Sequence, residues 1–266
     1  MAVKDSQIRQ VIMEFLKRPD SNGKRSITFR HVRNEGVRDL CREKIPGFDK
    51  GDEERVYELF YELSLERIIV PDENTGPYQW PFYRLTTHGR RVLANPADCT
   101  YDPDGYVEQL KRRVPRVSDT VVFYVHQAVT CFSHRLLPAA SVMLGCAAEK
   151  LILDLVDAFV SALSNKSEQS AMQRDLDKAR HISQKYEILW KRLAHRRTHF
   201  PHRDADCLEE RLTAVFHQVR KVRNDAGHPT GHVPDEAEVH GNLILFVGYA
   251  ELVQGLIDHL QKHPMP

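Results

Sequence analysis

The chain has 266 residues, 41% hydrophobic and 28% charged, a composition that excludes a disordered polypeptide and leaves room for about two domains. Its 38 basic and 37 acidic residues leave a net charge of +1, so no global excess of charge advertises a nucleic-acid partner and any basic surface is local. The five cysteines, Cys41, Cys99, Cys131, Cys146 and Cys207, are scattered without a C-x-x-C pair, which argues against a disulfide scaffold or a zinc ribbon and for a reducing, cytoplasmic setting.

No apolar core precedes a cleavage site at the N-terminus, so no leader is expected. Ile8, Val11, Ile12, Phe15 and Leu16 recur at helical spacing and predict a first helix. A loop at residues 19–23, a short extended segment at 26–29 and a second helix near 31–43 follow. Pro46-Gly47 breaks the chain. A third helix is predicted over 52–66, with Val56, Leu59, Phe60 and Leu63 inward. Residues 67–70 and 82–85 predict two strands around a turn at 71–77, and 86–93 a short closing helix.

Three helices, two strands and a T-x-x-G-x-x-x-L ending at Leu93 resemble a winged-helix domain over residues 1–95. In that fold the third helix normally enters the major groove. Here it carries Asp52, Glu53, Glu54, Glu58, Glu62 and Glu66 against Arg55 and Arg67, a face that DNA phosphates repel. The basic residues sit on the second element instead: Arg30, Arg33, Arg38, Arg42 and Lys44. The expectation is an α+β winged-helix domain that contacts protein rather than DNA.

Residues 96–117 are rich in turn formers and read as a linker with one short helix near 106–113. From 118 to 266 the pattern is long helices. Val121, Val125, Ala128, Phe132 and Leu136 line the first. The second, 138–163, is apolar nearly all round and marks a central helix; its longest apolar stretch, 136–148, is too short to span a bilayer, so no membrane partner is expected. It carries a narrow stripe of Ser141, Gly145 and Glu149. A buried carboxylate needs a partner, and Arg223 is a candidate, as are a nearby lysine or solvent. One helix is predicted over 171–194, another over 207–226, and a last over 235–261 with Val239, Leu243, Phe246, Ala250, Val253, Ile257 and Leu260 inward.

The chemistry concentrates at Arg223-Asn224-Asp225-Ala226-Gly227-His228, followed by Pro229. Residues five apart on an unbroken helix point about 140° away from each other. Glycine commonly sits just past a helix end, and the residue before proline avoids helical angles. The helix is therefore expected to stop near Ala226 and let His228 fold back toward Arg223. Imidazole transfers protons near neutral pH, and guanidinium grips phosphate and stabilises developing charge.

An R-N-x-x-x-H run at the end of a late helix, in a mainly α bundle, resembles the HEPN superfamily. The resemblance spans residues 106–263, and the A-A-x-V-x-L-x-x-A-x-E run ending at Glu149 resembles that family's second helix. It implies a homodimeric, metal-independent endoribonuclease that needs no cofactor, cleaves RNA by 2′-hydroxyl attack, and serves a defence or toxin system. Arg223 would bind phosphate, His228 transfer protons, Asn224 orient one of them, and Glu149 support them. The superfamily also holds inactive members, so two alternatives stand: a non-catalytic interaction or nucleotide-binding module, and a DNA-binding regulator using the winged helix.

A second basic cluster holds Lys191, Arg192, Arg196 and Arg197, with Tyr186, Trp190 and Phe200 interleaved. Cations and aromatics together can track and stack RNA; the alternative is a solvated helix end. His195 and His199 have metal-ligand spacing, but no acidic or cysteine ligand lies suitably near, so no metal is expected. No phosphate-binding glycine loop or nucleophile elbow is present.

Overall fold

The computed structural model describes residues 3–17, 26–28, 36–71, 82–95, 99–200, 212–227 and 233–266. They are mainly α-helical. The chain divides into two compact units: Met1–Gly105 with Ser133–Arg135, and Tyr106–Phe132 with Leu136–Pro266. The division falls within the stretch read as a linker.

In the first unit, α1 (Asp5–Leu16) buries Ile8, Val11, Ile12 and Leu16. Next come α2 (Val37–Lys44), a single 3-10 turn at Lys50–Asp52, and α3 (Glu53–Leu65). The second helix was expected near 31–43; residues 29–35, and with them Arg30 and Arg33, lie outside the described residues. Helix α3 ends when Arg67 takes a left-handed φ of 62°. The Ile68 amide then donates to Leu63 O at 2.9 Å, a Schellman-type closure. That turn delays the strand, and β2 spans Ile69–Pro71 instead of starting at Arg67. It pairs antiparallel with β3 (Phe82–Leu85), which pairs on its other edge with β1 (Ser26–Thr28), giving the order β1-β3-β2.

The T-x-x-G motif has a steric reason. Thr86 Oγ1 caps α4 (Thr87–Ala94) by accepting from the Gly89 amide at 2.8 Å. A Cβ on Gly89 would sit 2.0 Å from Ile68 O. Only glycine lets this helix lie against the strand backbone.

One feature the periodicity does not reveal is Arg9, buried on α1. Its guanidinium donates to Glu66 Oε1 at 2.9 Å and Oε2 at 2.5 Å, and to Tyr101 O at 3.0 Å. Both side chains are nearly fully buried.

In the second unit, α5 (Pro103–Arg113), α6 (Asp119–Ser133) and α7 (Leu137–Ala162) run to the C-terminal half. Central α7 buries residues on most of its circumference, among them Leu144, Ala148, Leu151, Leu155 and Phe159. The helix expected over 171–194 is two helices, α8 (Lys166–Lys178) and α9 (Ile182–Ala194). The break has a local cause: Gln184 Oε1 accepts from the amides of Arg180 at 2.8 Å and His181 at 3.1 Å, capping a new helix. Helix α10 spans Ala214–Gly227, and α11 spans Glu236–Lys262. The inward stripe expected on α11 is buried from Val239 to Leu260. Tyr106 OH donates to Leu243 O at 2.6 Å and Arg113 pairs with Glu251, so α5 lies along α11.

Removing one partner of a buried ion pair strands the other, which costs about 3–5 kcal/mol, whereas replacing both with apolar groups is often far milder. Urea unfolding of Arg9→Met, Glu66→Leu and the double variant is therefore expected to show each single losing more stability than the double. Additive losses would contradict this role.

Candidate active site

Helix α10 packs against the central helix α7 along Val142, Gly145 and Glu149. A Cβ built on Gly145 would fall 2.5 Å from Arg223 Cβ and 2.4 Å from its Cγ. A Cβ on Gly227 would lie 4.0 Å from Val142 Cγ2. The two contacts run in opposite order along their helices, so α7 and α10 are antiparallel. Ser141, buried, returns its hydroxyl proton to Leu137 O at 3.0 Å and presents no unsatisfied donor to the seam.

This packing sets the guanidinium. The Arg223 stem lies on the Gly145 backbone, and its Nη1 donates to Asn224 Oδ1 at 3.0 Å. Its Nη2 lies 3.9 Å from Glu149 Oε2, with side chains 36% and 19% exposed. The Arg223–Glu149 pair is thus loose, and the cation keeps a solvent-facing side. The other carboxylate oxygen, Glu149 Oε1, is buried without a hydrogen-bond partner among the described residues. A buried acceptor left unsatisfied is destabilising unless a donor arrives.

Cys146, half-buried, also faces this cluster, and the sequence reading overlooked it. Burial pushes its thiol above the ordinary value; the charge and hydrogen bonding of Arg223 pull it back, and Glu149 pushes it up again. The signal was legible: Cys146 follows Gly145 and precedes Glu149 by three, one helical turn on the same face.

Gly227 is the last residue of α10, and Gly47 is the only described glycine with positive φ. Gly227 is therefore helical, without the left-handed turn expected there. His228 lies outside the described residues, as do Pro229 and residues 207–211, where this helix was expected to begin.

The basic cluster divides. Arg192 pairs with Asp175 at 2.8 Å. Arg196 forks onto Glu168 at 2.6 and 2.8 Å and donates to the carbonyl of Pro266 at 3.1 Å. These two guanidiniums neutralise their own carboxylates. Lys191 is exposed and Arg197 half-buried. His195 Nδ1 lies 2.5 Å from Lys191 O, its own helix's backbone.

No family model, characterised protein or solved structure matches the chain.

Overpacking a close helix seam typically costs about 1–3 kcal/mol, so Gly145→Ala is expected to lower stability despite alanine's better helix propensity. Gly255→Ala, whose Cβ would enter open space, should raise it by about 0.5–1 kcal/mol. Denaturant midpoints check both signs. The Cys146 thiol provides a second probe. Alkylation followed across pH by peptide mass spectrometry should place its titration higher in Arg223→Ala and lower in Glu149→Gln. Shifts in the reverse sense would remove Cys146 from the cluster.

Proposed function

We propose that this chain is a metal-independent endoribonuclease of the HEPN type, acting as a homodimer on RNA in the cytoplasm, with a defence or toxin role as the setting the resemblance implies. The observation that carries the reading is the Arg223 guanidinium, held at the end of α10 by the Gly145 backbone and Asn224 while one side stays open to solvent. Arg223 grips the scissile phosphate and offsets charge in the transition state. His228, next in sequence after Gly227, takes the proton from the ribose 2′-hydroxyl or supplies one to the leaving 5′-oxygen. The 2′-oxygen bonds to phosphorus, the P–O5′ bond breaks, and the products are a 2′,3′-cyclic phosphate and a 5′-hydroxyl. Asn224 orients the guanidinium, and Glu149 supports it from across the seam. Of the basic cluster proposed to guide RNA, Lys191 is the exposed cation, while Arg192 and Arg196 are tied to Asp175 and Glu168.

A second reading, a HEPN-like bundle that binds without cutting, is favoured by one observation: Arg223 already has Asn224 and Glu149 as partners. For residues 1–95 the proposed winged-helix arrangement contacts protein. Two facts support this over DNA binding. Arg38 and Arg42 on α2 both pair with Glu53, and Arg42 also with Asp39, so two carboxylates offset those two cations. The outer face of α3 exposes Glu54, Glu58, Tyr61 and Leu65, carboxylates and apolar side chains that suit a protein surface.

The test is incubation of the purified chain with structured RNA in excess chelator, beside Arg223→Ala and His228→Ala. The expected result is cleavage leaving cyclic-phosphate ends, reduced at least about 100-fold in both variants, as general acid–base catalysis contributes about 10²–10⁴-fold. Equal cleavage by the variants contradicts the assignment. RNA binding without cleavage, weakened by Arg223→Ala, supports the second reading.

A further inference from the structure

A cavity of about 720 Å³ opens beside the C-terminal halves of α7 and α11, and none of its lining residues lies on α10. Its floor is apolar: Leu151, Ala158 and Ala162 come from α7, and Ile257 and Leu260 from α11. Arg116 and Ser118, in the turn between α5 and α6, form one rim, and Pro264 belongs to another. The two helices end side by side. The Met265 amide donates to Ala162 O at 2.7 Å, and the Ser164 amide donates to Met265 O at 2.8 Å. A cavity of that size, with an apolar floor and a few convergent polar groups, has the make-up of a small-molecule site.

The polar groups fall into pairs, with one left over. Arg116 pairs with Asp258 and donates to Gln261 Oε1 at 3.3 Å. Asp154 pairs with Lys150 and accepts from Ser118 Oγ at 3.1 Å. Each of these cations is thus offset by a carboxylate. Asp157 differs. Its backbone carbonyl accepts from Ser161 Oγ at 2.8 Å, but its exposed carboxylate has no partner among the described residues. Gln254 Nε2 donates to Asp258 Oδ1 at 2.8 Å, which leaves its Oε1 as another acceptor. The last turn of α7 lines the cavity through Ser161 and Ala162. It carries no basic side chain to offset the partial negative charge of a helix C-terminus.

The lining therefore suits a positive charge attached to an apolar body. An anion would face Asp157 and the helix end, and a neutral hydrocarbon would leave both unmatched. We propose that this cavity binds an amphipathic amine, its ammonium on Asp157 and its apolar body on Leu151, Ile257 and Leu260. The site goes beyond the nuclease reading: it shares no residue with the Arg223 seam, and its test uses no RNA.

Three indoles of similar shape separate charge from bulk: tryptamine, indole-3-propionate and 3-ethylindole. Titrated into the 15N-labelled full chain at neutral pH, tryptamine is expected to bind saturably and shift the Gln254 side-chain amide resonances. An exposed ion pair contributes modestly, so tryptamine should bind about fivefold tighter than 3-ethylindole, with indole-3-propionate the weakest. Asp157→Asn should weaken tryptamine by about the same factor and leave 3-ethylindole unchanged. Asp157→Lys should reverse the preference toward indole-3-propionate. The absence of any saturable shift with tryptamine overturns the proposal. So does equal binding of the amine and the carboxylate, tryptamine binding untouched by Asp157→Asn, or shifts that gather around Arg223 instead of the cavity.

Discussion

The contact between the Gly145 backbone and the stem of Arg223 is the constraint on which the second unit's chemistry rests. Any side chain at 145 would occupy the space of the arginine's Cβ and Cγ. With glycine there, α7 and α10 approach closely enough for Arg223 to reach Glu149 and Asn224 while keeping a wet side. Packing thus does what a flexible surface arginine cannot: it fixes where the cation begins its reach, so less conformational entropy is lost when a phosphate binds.

The same seam concentrates groups of conflicting demand. Glu149 has one oxygen near the guanidinium and one buried without a donor. Cys146 sits between a charge that favours its thiolate and one that opposes it. A fully satisfied core would have no such loose ends. These partly satisfied polar groups beside an open cation are the feature on which the proposed phosphate site rests. The first unit resolves its buried charge differently. Arg9 and Glu66 satisfy each other bidentately, with Tyr101 O completing the arrangement.

The sequence made some of this legible for simple reasons. Helical periodicity exposed the inward faces of α3 and α11, because each buries one stripe against its neighbours, and an apolar run nearly all round marked α7 as central. The polar stripe on α7 was visible since Ser141, Gly145 and Glu149 interrupt an otherwise apolar helix. Other features were hidden because they depend on what the chain meets in space. Arg9 reads as a surface residue until Glu66, 57 positions away, lies beside it. The split between α8 and α9 turns on a single glutamine caught by two backbone amides, which a window of apolar spacing averages over. Arg192 and Arg196 looked available to RNA because their partners, Asp175 and Glu168, come from the preceding helix.

The central claim is that the α7–α10 seam holds Arg223 ready for a phosphate. Side-chain NMR of the 15N-arginine-labelled chain tests it directly, using an RNA whose scissile ribose lacks the 2′-hydroxyl and so cannot be cut. The account predicts that the Arg223 Nε–H resonance moves saturably on titration, and that Gly145→Ala abolishes the movement while the fold persists. An Arg223 resonance that stays fixed while the RNA binds elsewhere on the protein would contradict it.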